Sequence, residues 1–373
     1  MAGKDWNIDD YIPTEDSTKK GYANSEFYKA WHSVNEQLDK NLVIAFLGTA
    51  SSGKTSGIKA LFGIDFGNIH PIPGSTTEVK VVNISNNVFL ADAPGFGDIK
   101  KEISLKAKEI CDSVDIFIYI LNAEGGFKIQ EKEDYQDLVS YNREVLVVLN
   151  KIDLIRPYHK DEFIEDQRKK MGVKPENFIA ASFDPLPQIS STPINLDAVQ
   201  EWIQNTLEKR GKDLLFAKVA REKDKICDRW IKAACASAAA IGAIPIPGSD
   251  YIPLTALQVG LMAKIANTYG HSPDKKDIIT FIGQTFTGQI GRQIFRGILT
   301  ALKAAGWFPV AGWPVEAATA VLAAGIASSA TYGLGKAAQA YYKGGMQLPI
   351  SEIQQIFKQY YDLGRKQKKE ALS

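Results

Sequence analysis

Short apolar runs alternate with charged, helix-period segments through the first half of the chain. The apolar runs begin at residues 42, 88, 115, 144 and 177, and each is continuous enough for a strand that is buried on both faces. A more strictly alternating run, which starts at Thr77, suits an edge strand. Strands that alternate with helices predict a mostly parallel sheet with helices on both faces.

Helical patterns flank this region on both sides. Residues 1–22 read as a loose polar tail, and residues 25–40 place Phe27, Trp31, Val34 and Leu38 on one apolar helical stripe. The strand signal disappears after Gly211, and the rest of the chain is rich in Ala and Gly. We therefore predict an N-terminal tail and short helical arm at 1–40, an α/β domain at 41–211 and an all-α domain at 212–373.

Composition and charge narrow the picture only a little. The 373 residues carry a net charge of +1, which favours neither nucleic acid nor a strongly acidic partner. The three cysteines match no zinc-site spacing and fit a reducing compartment. The polar N-terminal segment contains no apolar signal core, and no stretch reads cleanly as a membrane span. We expect a cytoplasmic protein, and peripheral attachment to a membrane stays open.

The segment 48–55, GTASSGKT, fits the phosphate-binding pattern G-x-x-x-x-G-K-[ST] and lies between a predicted strand and a predicted helix. Small residues let backbone N–H groups approach phosphate oxygens, and the helix N-terminus adds its positive dipole end. Lys54 can bridge the β- and γ-phosphates, and Thr55 offers its hydroxyl to Mg²⁺. We expect a phosphate cradle here.

The segment 150–153, NKID, follows the run at 144 and points to guanine. A carboxylate at Asp153 can accept hydrogen bonds from guanine N1–H and N2–H₂, which adenine does not offer in that geometry. Asn150 can hold the loops together, and the stem of Lys151 can lie on the purine face.

Three further elements complete a candidate site. Asp92 ends a predicted strand where a carboxylate reaches Mg²⁺, and the Gly95 N–H can sense the γ-phosphate. One of two adjacent threonines, Thr76 or preferably Thr77, should close on Mg²⁺ and the γ-phosphate. A backbone N–H at Ala181 or Ser182 could meet guanine O6.

Because these elements occur in order, residues 41–210 resemble a TRAFAC-class GTPase domain of the Era-like and dynamin-like kind. The resemblance implies an α/β P-loop GTPase fold, binding of GTP and GDP, Mg²⁺, slow hydrolysis and a nucleotide-driven switch. The expected metal ligands are Thr55, Thr77 and Asp92. The expected catalytic groups are Lys54, Thr77, Ser51 and Gly95. The expected nucleotide-binding residues are Gly48, Ser51, Ser52, Gly53, Lys54, Thr55, Ser56, Asn150, Lys151, Asp153, Ala181 and Ser182.

Two positions depart from related patterns. Phe96 stands where Ras-like proteins carry a water-positioning glutamine, and its side chain cannot hydrogen-bond water. Hydrolysis should therefore be slow without another group, a partner or a dimer interface. Ser51 stands where many Era-like cradles carry an asparagine that helps to bind potassium, so activation by a monovalent cation stays undecided.

The second half contains the stretches IPIPGSDYIPLTALQVGLMAKIANTYG (244–270) and GWFPVAGWPVEAATAVLAAGIASSATYGLGKAA (306–338). On these stretches, residues from about 212 to 345 resemble the YcjF-like helical domain of unknown function, and the whole architecture is similar to that of immunity-related GTPases. Residues 233–249 and 317–335 carry no charge. They predict either a tightly packed helical hairpin or a hairpin that attaches to a bilayer. The aromatic turn of Trp307, Phe308 and Trp313 would suit a membrane interface or a core plug.

Three functions remain open on this basis. The first is a GTP-hydrolysing switch whose helical half associates with a membrane or with itself, with a homodimer through the G domain as one arrangement. The second is an Era-like factor that binds the ribosome or RNA, which the near-neutral charge does not favour, so we do not expect a nucleic-acid partner. The third is a non-catalytic scaffold gated by nucleotide.

Overall fold

A computed structural model describes residues 17–65, 80–85, 87–93, 111–243, 251–287 and 317–370. The chain divides into two compact units. One comprises residues 37–222, here called the G unit, and the other combines 1–36 with 223–373, here called the helical unit.

The G unit is built on a six-stranded sheet in the order β2-β3-β1-β4-β5-β6. Only β2 and β3 pair antiparallel, and the remaining pairs are parallel. The mostly parallel sheet predicted from the sequence is thus confirmed, and the alternating run supplies the edge strand β2. The strands are β1 (Leu42–Leu47), β2 (Lys80–Ser85), β3 (Val88–Ala93), β4 (Ile116–Asn122), β5 (Glu144–Asn150) and β6 (Phe178–Ala180).

Helices account for most of the remaining described residues. Those of the helical unit begin with α1, which precedes the sheet, and resume with α7 after it. The helices are α1 (Ser17–Leu38), α2 (Lys54–Phe62), α3 (Ile129–Ser140), α4 (Lys160–Met171), α5 (Leu196–Glu208), α6 (Asp213–Val219), α7 (Lys223–Ala243), α8 (Tyr251–Thr268), α9 (Lys275–Thr287), α10 (Ala317–Lys343) and α11 (Ile350–Glu370).

The central strands show why their sequences are apolar without alternation. In β4 every residue from Ile116 to Leu121 is buried, so both faces of the sheet are covered. Because parallel strands end at the same edge, the loops after β1, β4, β5 and β6 meet there.

The G unit extends past the boundary at Gly211 that the sequence suggested. Phe216 of α6 packs edge-on against Phe62 of α2 with 6.0 Å between ring centroids, and Phe62 meets Phe46 of β1 at 6.2 Å. The Arg221 N–H donates to the Leu61 carbonyl at 2.9 Å. The helix α6 thus covers the core of the G unit, although the sequence shows no strand signal there.

The helix α1 begins at Ser17, whereas the sequence suggested a tail up to residue 22 and a helical stripe from residue 25. An apolar stripe marks only the turns that pack, so it does not register the polar first turns. Phe27 and Val34 are buried as the stripe predicts. Trp31 Nε1 donates to the Pro273 carbonyl at 3.2 Å, a contact within the helical unit.

The Ala- and Gly-rich helix α10 packs closely against α7 and α11. A Cβ atom added at Gly333 would lie 2.7 Å from the Phe357 carbonyl oxygen, and one at Gly335 would lie 2.8 Å from Ile231. Small residues therefore serve tight helix crossings inside this unit. In the described part of the chain, no helix combines the length and the apolar character that a membrane span requires. Trp307, Phe308 and Trp313 lie outside the described residues.

Candidate nucleotide-binding site

The loop after β1 has a backbone that requires its glycines. Gly48 and Gly53 have φ angles of +143° and +99°, and a Cβ at Gly53 would lie 2.1 Å from Asn150 Nδ2. Ser51 adopts the left-handed conformation at φ 62° without being glycine. The loop leads directly into α2, whose N-terminus at Gly53 receives no side-chain cap. The first N–H groups of α2 therefore suit an anion.

Lys54 folds back over this loop. Its Nζ donates to the Gly48 carbonyl at 2.7 Å and to the Thr49 carbonyl at 3.2 Å. The ammonium group thus lies at the loop that the sequence predicts to hold the phosphates. Thr55, in the first turn of α2, is exposed, and its hydroxyl fits the oxygen donors that Mg²⁺ prefers.

Asn150 joins the phosphate loop to the loops at the edge of β5 and β6. Its Nδ2 donates to the Ser52 carbonyl at 2.8 Å, and its Oδ1 accepts the Phe183 N–H at 3.1 Å. The side chain is 2% exposed, so both bonds are shielded from water. The predicted role of Asn150 as a tie between loops is what the geometry shows.

The Asp153 carboxylate is held at both oxygens. Oδ1 accepts the Ser182 hydroxyl in a short hydrogen bond, and Oδ2 accepts the Leu186 N–H at 3.0 Å. Burial opposes ionisation of Asp153, but hydrogen bonds from Ser182 and from the Leu186 backbone hold its pKa below the ordinary value. Asp153 is therefore an ionised acceptor at neutral pH.

The backbone at Ala181 and Ser182 differs from the expectation that one of these N–H groups meets guanine O6. The Ala181 N–H donates to the Leu149 carbonyl at 2.9 Å, and the Ser182 N–H donates to the Ile194 carbonyl at 3.1 Å. Both N–H groups therefore donate to backbone carbonyls of the protein. Ser182 contributes through its hydroxyl instead, which the sequence did not suggest.

Lys151 forms an ion pair that the sequence did not suggest either. Its backbone is left-handed at φ 66°, and its Nζ lies 3.0 Å from Glu124 Oε2. Glu124 sits in the turn after β4, where its N–H donates to Asn122 Oδ1 at 3.0 Å. The two side chains are 30% and 50% exposed, so the pair lies at the rim of the site.

Asn150, Lys151, Asp153 and Ser182 line a pocket of about 160 Å³ at the carboxyl edge of the sheet. The pocket brings together the phosphate loop and the base loop, as the sequence predicts, and adds Leu154, Asp184 and Leu186. Its lining residues are Gly53, Ser56, Asn150, Lys151, Asp153, Leu154, Ser182, Asp184 and Leu186.

The remaining predicted groups are only partly placed. Asp92 pairs with Phe46 in the β1–β3 register, so its backbone lies beside the strand that leads into the phosphate loop. Its side chain lies outside the described residues, as do Thr77, Gly95 and Phe96. Glu124 and Leu186, which the sequence did not point to, lie in loops at the sheet edge. Their position after predicted strands is the feature of the sequence that could have indicated them.

Comparisons with known proteins agree with this geometry. Residues 43–151 match the family model described as "50S ribosome-binding GTPase". GTPase Era of Aquifex aeolicus is 29% identical over 126 residues, which cover 31% of this chain and 42% of that protein. A probable GTP-binding protein EngB of Buchnera aphidicola subsp. Baizongia pistaciae is 27% identical over 166 residues, covering 41% and 73% respectively.

Among solved structures, Era in complex with MgGDPNP and 16S ribosomal RNA nucleotides aligns at 26% identity and a TM-score of 0.32, covering 44% of this chain and 56% of that one. The family match spans the phosphate loop and reaches Lys151 of the base loop. Residues 43–151 thus match a GTPase family model, and part of the chain is similar to Era and to EngB.

Proposed function

We propose that this chain is a GTP-binding switch that hydrolyses GTP slowly, and that its helical unit acts in self-assembly or in membrane association. The observation that carries the nucleotide part is the join made by Asn150. It fastens the phosphate loop at Ser52 to the loop where Ser182 and Leu186 orient Asp153. A cradle for phosphates and a carboxylate for guanine are thereby held in one pocket.

Base preference tests this reading directly. Asp153→Asn should shift preference from guanosine toward xanthosine nucleotides, because an amide presents a donor where the carboxylate accepts. Asp184→Asn is the matched control, since Asp184 lines the same pocket but makes no hydrogen bond to the described residues. Unchanged GTP affinity in Asp153→Asn, or equal shifts in both variants, would refute the assignment of the base site.

Mg²⁺ belongs to the proposal as well. Thr55 supplies a hydroxyl at the start of α2, and Asp92 lies at the end of the neighbouring strand β3. We assign these two residues and Thr77 as ligands; the ion would neutralise charge on the β- and γ-phosphates. This assignment is tested by comparing GDP affinity with and without Mg²⁺, in Thr55→Ala and in the protein without substitutions.

Slow turnover follows from Phe96, which cannot position a water molecule. GTP turnover should be measured against protein concentration with Mg²⁺, in sodium and in potassium buffers. A specific activity that rises with concentration supports a catalytic group supplied by self-association. A flat, very low rate supports an outside activator. A difference between the two buffers would indicate a cation site beside Ser51.

The self-assembly part of this role rests on the need for a catalytic group other than Phe96. The membrane part rests on the uncharged segment 233–249, since small residues of 317–335 already serve helix crossings within the unit. In a cytoplasmic protein, nucleotide-dependent flotation with liposomes would indicate peripheral membrane association. Nucleotide-dependent sedimentation without lipid would indicate self-assembly. If a GTP analogue induces neither flotation with liposomes nor sedimentation without lipid, this part of the proposal is refuted. The proposal of nucleotide binding is not affected by that result.

A second candidate is an assembly factor that binds ribosomal RNA. The family description for residues 43–151 favours it, and the Era structure contains 16S ribosomal RNA. The net charge of +1 disfavours it. A salt-sensitive shift of a ribosomal RNA fragment, stronger with GTP than with GDP, would favour this candidate over the first.

A further inference from the structure

The loop that follows β6 returns to the base-reading carboxylate. It leaves the sheet edge at Ser182 and comes back at Ile194, where the two residues exchange backbone hydrogen bonds of 3.1 and 2.8 Å. Between them, residues 185–187 read Pro-Leu-Pro. The Leu186 N–H lies 3.0 Å from Asp153 Oδ2, and Leu186 is among the residues that line the pocket.

Each oxygen of the Asp153 carboxylate is therefore engaged by one protein donor, the Ser182 hydroxyl on Oδ1 and the Leu186 N–H on Oδ2. An ionised carboxylate oxygen accepts two hydrogen bonds. Among the residues that the structure describes, one acceptor site on each oxygen thus stays available. Guanine offers N1–H and N2–H as a parallel pair of donors, which suits a carboxylate held in a fixed plane.

The sequence around Leu186 restricts where its N–H can point. Pro185 fixes its own φ, and Pro187 disfavours the helical conformation for the residue before it. The Leu186 carbonyl is also bound, since it accepts the N–H groups of Ile189 at 2.8 Å and Ser190 at 3.1 Å. Leu186 is therefore held at its N–H and its carbonyl, and few backbone conformations compete with the observed one.

We propose that Leu186, held between Pro185 and Pro187, is a positioning residue for guanine: its N–H fixes Oδ2 of Asp153 so that both carboxylate oxygens face the base. This inference rests on the proposed function, because it assigns the contact that makes guanine recognition bidentate. Without this N–H, only Oδ1 stays fixed by the Ser182 hydroxyl, the carboxylate can turn about its Cβ–Cγ bond, and the base meets a single well-placed oxygen.

Inosine diphosphate isolates the second contact, because hypoxanthine keeps N1–H and lacks the 2-amino group. The ratio of GDP to IDP affinity then measures how well both oxygens are placed. Leu186→Pro removes the N–H between two existing prolines, and we expect the ratio to fall about tenfold, as for one charged hydrogen bond. Leu186→Ala is the matched control, because it keeps the N–H and any lost side-chain contact weakens both nucleotides equally.

The pH profile supplies a second readout that a change in packing would not move. The Leu186 N–H favours the ionised form of Asp153, so its removal should raise the pKa of Asp153. As the pH is lowered, Leu186→Pro should therefore lose GDP affinity at a higher pH than the protein without substitutions does. If Leu186→Pro does not fold, Pro187→Gly keeps the N–H but releases it, and a smaller drop in the GDP to IDP ratio is expected there.

The outcomes separate this inference from the proposed function. If Leu186→Pro folds and changes neither the GDP to IDP affinity ratio nor the acid limb of the pH profile, the inference is overturned. If Leu186→Pro does not fold, an unchanged GDP to IDP ratio in Pro187→Gly overturns it. If the protein without substitutions binds GDP no better than ADP, the proposed function itself is overturned. A reduced ratio in Leu186→Pro together with a retained ratio in Leu186→Ala supports the positioning role.

Discussion

Replacement of Asn150 should weaken the protein even in the absence of nucleotide. Asn150→Ala leaves the Ser52 carbonyl and the Phe183 N–H without their partner, and both bonds lie in a region where Asn150 is 2% exposed. A buried polar group left unpaired costs about 1–3 kcal/mol, so two of them predict a loss of about 2–6 kcal/mol in the free energy of unfolding. This is large against the total stability of an ordinary domain.

Asn122→Ala provides a matched control on the neighbouring strand. Asn122 pairs with Asn150 in the register of β4 and β5, but within the described residues its side chain makes one hydrogen bond, from the exposed Glu124 N–H at 3.0 Å. We expect this variant to lose about 1 kcal/mol or less, because water can replace the bond.

The assay must report on the G unit alone, because a chain of two units need not unfold in a single transition. Hydrogen exchange of peptides from 116–150, followed in increasing urea without nucleotide, gives a local free energy of opening for β4 and β5. Similar losses in Asn150→Ala and Asn122→Ala would refute the view that Asn150 ties the loops together. A loss seen only in nucleotide affinity would refute it as well.

Three further substitutions test the electrostatics and hydrogen bonding of the G unit. Ser52→Ala should change the free energy of unfolding by less than about 1 kcal/mol, because the buried Ser52 Oγ has no hydrogen-bond partner in the described structure; a larger loss in urea unfolding would contradict this. Glu124→Gln should speed the dissociation of a fluorescent GDP about two- to fivefold, as for a partly exposed ion pair with Lys151. That difference should shrink in high salt, and a salt-independent effect would argue against the pair. Burial raises the pKa of Glu131, and Lys128 at 3.8 Å opposes this only in part. A folded-state pKa above the unfolded value means that stability falls as the pH rises from the unfolded pKa through the folded pKa. Glu131→Gln should therefore raise the melting temperature at pH 7 and have little effect near pH 4, about the unfolded pKa. Equal gains at both pH values would refute the assignment.

The parts of the site that were predictable from sequence are those whose chemistry is local. Gly48 and Gly53 adopt backbone angles that favour glycine, and the spacing from Gly48 to Lys54 places both beside one strand end. Asn150 likewise follows directly from its place at the end of an apolar strand. Residue type and spacing suffice at such positions because the chain itself brings the groups together.

The contacts that sequence reasoning missed join loops far apart in the chain. Glu124 meets Lys151 across the β4–β5 edge, and Leu186 reaches Asp153 only because the loop after β6 turns back. The sequence predicts that these loops share an edge, but it does not specify which atom of which residue arrives. The expectation for the Ser182 N–H differed from the structure for that reason, since its bond to Ile194 depends on the path of the whole loop.

The two halves of the site are prepared for a ligand in different ways. In the base half, Asp153 is already held at both oxygens and Asn150 is hydrogen-bonded at both its amide nitrogen and its amide oxygen, so a base can enter with little rearrangement. In the phosphate half, Lys54 bonds the carbonyls of Gly48 and Thr49, and these bonds must be exchanged for phosphate oxygens. Base recognition should therefore be nearly the same for GDP and GTP, and differences between the two nucleotides should arise from the phosphate half. A switch needs that division, because only a ligand that interacts differently with two states can shift the balance between them.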